Sequence, residues 1–120
     1  MERPNRKVYA ITEDGVQALK VWLAKSRPLS AERFPFLVQL YFARHLAKDE
    51  LLSVLTDQRR QHWQKLTAFR QIELPQADTQ AMAQQIIFGG FTLDFGIRYE
   101  EMIIAWLDKV ISEVEERIIE

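Results

Sequence analysis

The sequence predicts a mostly α-helical fold: a short β-prone segment at the front, then a helical domain whose long C-terminal helix pairs into a helical dimer. Three observations carry that prediction. Apolar residues recur every seven positions from Gly90 to Ile118. Only residues 7–12 read as a strand. Prolines at 28, 35 and 75 divide the rest into helix-length pieces. With 120 residues, 48% of them hydrophobic and 28% charged, the chain has the size and composition of one ordinary domain able to bury a core.

Residues 7–12, Lys-Val-Tyr-Ala-Ile-Thr, are β-rich and roughly alternating after a polar Arg-Pro-Asn-Arg turn. A lone strand needs a partner, and nothing else in the chain reads as β. Thr12 has the character of a helix N-cap, with Glu13 and Asp14 in the first turn, where the helix dipole favours carboxylates. That helix continues through Val16, Leu19, Val21, Trp22 and Leu23 and stops before Arg27-Pro28. Gly15 is unfavourable so early in a helix, which points to a close backbone or turn constraint there.

From Ser30 onward the pattern is helical. Pro35 opens a helix carrying Phe34, Leu37, Val38, Leu40, Tyr41 and Phe42, which ends near Leu46 to Lys48. Asp49-Glu50 open a second helix with Leu51, Leu52, Leu55, Trp63, Leu66, Phe69 and Ile72, reaching Leu74-Pro75. Asp78 is the candidate cap of the final helix.

That last helix is the most informative segment. Gly90, Ile97, Ile104, Ile111 and Ile118 form one heptad position, and Leu93, Glu100, Leu107 and Val114 the other. Glu100 breaks the seam once. Beside it runs a second apolar set: Phe88, Phe91, Phe95, Met102, Ile103, Trp106 and Val110. Two apolar sets call for burial on two sides, by another copy of the chain or by one broad internal core. Gly89, Gly90 and Gly96 each cost about 1 kcal/mol relative to alanine inside a helix. They permit a close approach, a bend, a small cavity beside the phenylalanines, or a break into two helices.

Charge is unevenly spread. The chain holds 16 Lys+Arg against 17 Asp+Glu, yet residues 1–30 carry a net +3, residues 31–75 a net +2 and residues 76–120 a net −6. Any polyanion contact is therefore expected at the front. Cysteine is absent, which excludes disulfides, thiolate chemistry and Cys-based zinc sites. No apolar stretch approaches the ~20 residues that cross a bilayer, and no secretory leader is legible. A cytoplasmic protein without membrane partners is expected.

No catalytic constellation is legible. His45 and His62 lie on different helices and lack the spacing that would bring metal ligands to one face. The adjacent pairs Glu100-Glu101 and Glu115-Glu116 diverge on a helix, which suits solvation better than acid–base work. No serine has a neighbouring base or nucleophile-elbow glycines. Neither an enzyme, a cofactor nor a bound metal is expected.

The run Arg3-Pro4-Asn5-Arg6-Lys7-Val8-Tyr9-Ala10-Ile11-Thr12-Glu13-Asp14-Gly15, followed by Leu19 and Trp22-Leu23, resembles the wing and following helix of PadR-type winged-helix regulators. The Phe-rich helix from Phe34 to Leu46, Leu51-Leu52, Phe95-Gly96-Ile97-Arg98-Tyr99-Glu100 and Ala105-Trp106-Leu107-Asp108 resemble the family's virulence-activator-alpha subgroup. The resemblance implies that residues 1–27 are the end of a winged-helix domain, its helix-turn-helix not represented, and that residues 28–120 are a helical dimerisation domain. It further implies a homodimer that sets two DNA-reading heads on a two-fold operator, with DNA contacted only through an upstream domain. Arg3, Arg6 and Lys7 map to the wing, where cations give weak, salt-sensitive phosphate contacts. The expected dimer interface is Leu93, Ile97, Ile104, Leu107, Ile111, Val114 and Ile118. A small aromatic effector in a pocket of Phe88, Phe91, Phe95, Tyr99 and Trp106 is the alternative role, and a headless partner of a full-length regulator is another.

Overall fold

A computed structural model describes residues 9–119 of the chain. They fall into two compact units that divide between Phe34 and Pro35. In the first unit, helix α1 spans Glu13–Leu23. Thr12 caps it, its Oγ1 accepting from the Gly15 backbone N–H at 3.0 Å. That cap explains the glycine: a Cβ at position 15 would lie 3.0 Å from Ile11 Cγ1 and 3.1 Å from Thr12 Oγ1. At the other end Arg27 donates to the Trp22 carbonyl at 2.8 Å, and its guanidinium lies 4.4 Å from the centre of the Trp22 ring. Residues 9–12 of the expected wing strand form no strand, and no strand occurs among the described residues. A strand exists through ladder hydrogen bonds to a neighbour, and these residues have none. Residues 7 and 8 lie outside the described residues.

The second unit holds α2 (Pro35–Tyr41), a 3-10 turn (Ala43–His45), α3 (Lys48–Arg70) and α4 (Gln80–Arg117). The α3 start is fixed by half a capping box. The Ala47 N–H donates to Glu50 Oε1 at 3.1 Å, while alanine has no side-chain acceptor to return the bond. The α4 cap is Thr79 rather than Asp78: the Thr79 hydroxyl accepts from the Met82 N–H at 3.1 Å. α3 ends at Arg70, so residues 71–79 form a longer connection than the proline alone predicts.

α3 and α4 pack as an antiparallel hairpin, with Lys48 reaching the Glu115 carbonyl at one end and Arg70 pairing with Glu101 towards the other. The core forms where α2 and the turn close over this hairpin. Ala43, Leu51, Leu55, Leu107 and Val114 are its buried members, flanked by Phe36, Leu40, Leu52, Ile103, Trp106, Val110 and Ile111. α4 runs unbroken through Gly89 and Gly90. Gly96 serves close approach, since a Cβ there would come within 3.1 Å of the Phe69 ring. Among the described residues no helix is long and apolar enough to cross a membrane.

Candidate functional site

The hairpin is unequal. α3 has 23 residues and α4 has 38, so the difference of 15 leaves roughly 22 Å of α4 extending past the end of α3 at 1.5 Å per residue. Phe69 near the end of α3 lies against Gly96, and Leu74 in the connection lies against Gly90. The α4 turns before Gly96 therefore meet the connection rather than a helix.

Along this overhang and past it runs an uncovered apolar stripe. Phe88 is 66% exposed, Phe91 63%, Phe95 71% and Met102 54%. Tyr99, half-buried, stacks on Phe95 with ring centroids 6.2 Å apart, and Phe88 meets Phe91 edge-on at 6.0 Å. Trp106 continues the same helical face, but there the stripe is covered: Phe36 of α2 packs edge-on against the indole at 6.2 Å.

The heptad seam faces the other way. Leu107 is fully enclosed by its own chain, Ile104 and Val114 are buried, and Ile111 packs on the same core. Leu93 and Ile97 are half-buried, and Ile118 is exposed at the C-terminal end of α4. Docking α4 on α3 and α2 covers Ile104, Leu107 and Val114, members of the seam expected to meet a second copy. The expected aromatic pocket is no enclosure. Phe88, Phe91, Phe95 and Tyr99 line an open face, and Trp106 belongs to the border of the core. Arg3, Arg6 and Lys7 lie outside the described residues.

A cavity of about 870 Å³ opens at the opposite end of the hairpin, lined by Leu40, Leu46, Leu51, Val114 and Ile118 with Arg44 and Lys48 at its wall. Lys48 is engaged by the Glu115 carbonyl at 2.9 Å, whereas Arg44 lies over the Phe42 ring, 5.8 Å from its centre.

Glu100 is the residue that sequence reasoning placed wrongly. It is 1% exposed and lies inside the hairpin, where Nδ1 of His62 shares a hydrogen bond with its Oε2 and Lys65 Nζ stands 3.7 Å from Oε1. The signal was its position as the one charged residue in the heptad seam. Local spacing hid its partner, because His62 sits 38 residues away on α3. Nearer the surface, Arg59 pairs with Asp108, and this contact raises the guanidinium above its ordinary value. The hydrogen bonds from Arg60, then Gln61, hold the Asp57 carboxyl below the usual carboxylate value.

The family model described as virulence activator alpha C-term matches residues 32–115, the span of α2 through most of α4. The chain belongs to this PadR-like regulator family. Among its relatives, the probable transcriptional regulator Rv1176c of Mycobacterium tuberculosis is 31% identical over 128 aligned residues, covering 96% of this chain and 67% of that protein. The fold is that of Bacillus subtilis PadR. Its complex with operator DNA superposes at a TM-score of 0.67 with 22% identity over 86% of this chain. Its complex with p-coumaric acid gives 0.69 with 20% identity over 87%. This chain spans 58% and 62% of those two PadR chains.

Proposed function

We propose that the chain is the dimerisation part of a PadR-like transcriptional regulator, holding two DNA-reading heads at the separation a two-fold operator demands. Residues 1–27 are then the end of a winged-helix domain, with Arg3, Arg6 and Lys7 as weak phosphate contacts, and residues 28–120 the dimerisation domain. The observation that supports this reading is the uncovered stripe Phe88, Phe91, Phe95 and Met102 on a helix that outruns its intrachain partner. Contiguous exposed aromatic surface on a regular helix is what an association face presents. The operator complex of the solved PadR supports a DNA-binding role for the whole regulator. Light scattering on the 120-residue chain tests the reading: a mass of two chains is expected, and a monomer at every concentration up to the millimolar range defeats it.

A second reading, response to a small aromatic acid, is supported by the cavity beside Leu40 and Arg44. Its apolar wall suits a ring and the Arg44 guanidinium a carboxylate. Trp106 borders the same core and supplies the readout. Its emission should shift on titration with phenolic acids in the native chain and stay constant in Arg44→Ala. An unmoved native signal across a phenolic-acid panel removes this reading.

A further inference from the structure

We infer that the cavity at the Val114 end of the hairpin is a site for an aliphatic carboxylate, its tail held among branched side chains and its head by Arg44. The inference rests on the second reading above in taking this cavity as a ligand site, and it assigns a different chemical class to the occupant. The walls come from every helix of the second unit. Leu40 belongs to α2, Leu46 follows the 3-10 turn, Leu51 belongs to α3, and Val114, Ile118 and Ile119 come from the end of α4 and the residues after it. Ala43 and Ala47 line the corner with methyl groups alone, so the chain's own side chains do not fill the space.

The lining contains no aromatic residue. A bound ring finds none of the edge or face partners that favour aromatic pairs, whereas a methylene chain needs only dispersion contact with aliphatic walls. The volume of about 870 Å³ is near the upper end of the ~300–1,000 Å³ typical of sites for drug-sized ligands. One phenolic ring leaves most of it empty, while an acyl chain can fold along its walls. Charge points to the same class. Arg44, Lys48 and Asp49 reach the rim. Lys48 Nζ is engaged by the Glu115 carbonyl at 2.9 Å, and Asp49 Oδ1 accepts from the Glu50 N–H at 3.0 Å at the start of α3. Arg44 lies over the Phe42 ring and pairs with no carboxylate among the described residues. A guanidinium without a protein partner, at the rim of an aliphatic cavity, matches a planar carboxylate through paired N–H donors. The tail touches α2, α3 and α4 at once, so binding ties the corner to the hairpin and stabilises the second unit by mass action.

Titration of the 120-residue chain with hexanoate, octanoate and decanoate, each below its micellar concentration, tests the assignment. Affinity by calorimetry should rise about fourfold per added methylene. Methyl NMR shifts should fall on Leu40, Leu51, Val114 and Ile118, and the melting temperature should rise with decanoate concentration. Arg44 is exposed, so Arg44→Ala should keep the fold. It should weaken decanoate about tenfold and leave decan-1-ol, the same tail without the charge, unchanged. Ala47→Phe, also at an exposed position, fills the rim and should abolish binding of both probes. Decanoate binding more tightly than any phenolic acid is the expected result. Phenolic acids that bind here through Arg44 while decanoate does not would overturn the inference and leave the second reading intact. No response to either class defeats both. Equal decanoate affinity in the native chain and Arg44→Ala, or shifts confined to the Phe88 to Met102 stripe, means adsorption to exposed apolar surface and overturns the assignment.

Discussion

Phe36 packs edge-on against Trp106 with ring centroids 6.2 Å apart, which makes α2 the cover for one end of the α4 aromatic stripe. The remainder of that stripe has no such cover within the described residues of this unit. Removing the ring should expose the indole and loosen α2. Phe36→Ala is expected to cost about 1–3 kcal/mol, below the figure for a fully enclosed phenylalanine because Phe36 is only half-buried. Urea unfolding gives the cost, and a red-shifted tryptophan emission should accompany it. Native stability and emission would show that the contact contributes nothing.

The two faces of α4 should respond differently to a charge. Leu107 is enclosed by the chain's own core, so Leu107→Asp should unfold the second unit, with a loss of about 4 kcal/mol or more. Phe91 is mostly exposed, so Phe91→Asp should leave the helical circular-dichroism signal unchanged while the mass in light scattering falls to one chain. Ile104 is also buried, so Ile104→Asp belongs with the destabilising class. A dimer that survives Phe91→Asp would relocate the interface.

The buried carboxylate of Glu100 should show the asymmetry of internal ion pairs. His62→Ala leaves the charge enclosed with only Lys65 nearby and should cost about 3 kcal/mol. The double substitution His62→Leu with Glu100→Leu completes the apolar seam and should recover most of that loss or exceed native stability. Chemical denaturation of the native chain, His62→Leu, Glu100→Leu and the double variant closes the cycle and measures the coupling. Additive effects would show that the two groups do not interact.

Glycines in α4 should separate by position. A Cβ at Gly89 meets nothing within 4 Å, so Gly89→Ala should stabilise by about 0.5–1 kcal/mol through helix propensity alone. At Gly96 the Phe69 ring is already within 3.1 Å of an ideal Cβ, and Gly96→Leu should cost about 1–3 kcal/mol by forcing the helices apart. Thermal unfolding ranks the two, and the reverse order would refute the close approach.

Acid should act on Asp57 in a defined direction. Its carboxyl is held below the ordinary value of 3.8, first by the Arg60 hydrogen bond and then by Gln61. A depressed folded-state value means the contribution is present above the unfolded value and disappears as pH falls through the folded one. Carbon-detected NMR titration should place the Asp57 midpoint below 3.8, and Asp57→Asn should remove its share of the acid-limb pH dependence. A midpoint at or above the ordinary value would contradict the geometry.

Local chemistry made much of this protein legible in one dimension. Thr12 as a cap, acids in the first turn of α1, Pro35 at a helix start and the unbroken period of α4 all follow from interactions within one or two helical turns. Family membership was legible too, because its motifs are short runs. The period also revealed that α4 carries two apolar sets. Which set is enclosed and which is left open was decided by the hairpin. α3 and α2 consume the side of Leu107 and Val114, and the Phe88 to Met102 side, on the other face of the helix, is left exposed. Glu100 was unreadable for the same reason, since its partner His62 lies 38 residues away in sequence. Periodicity counts faces but carries no information about what packs against them. That depends on contacts between residues far apart in the chain, which only the tertiary structure supplies.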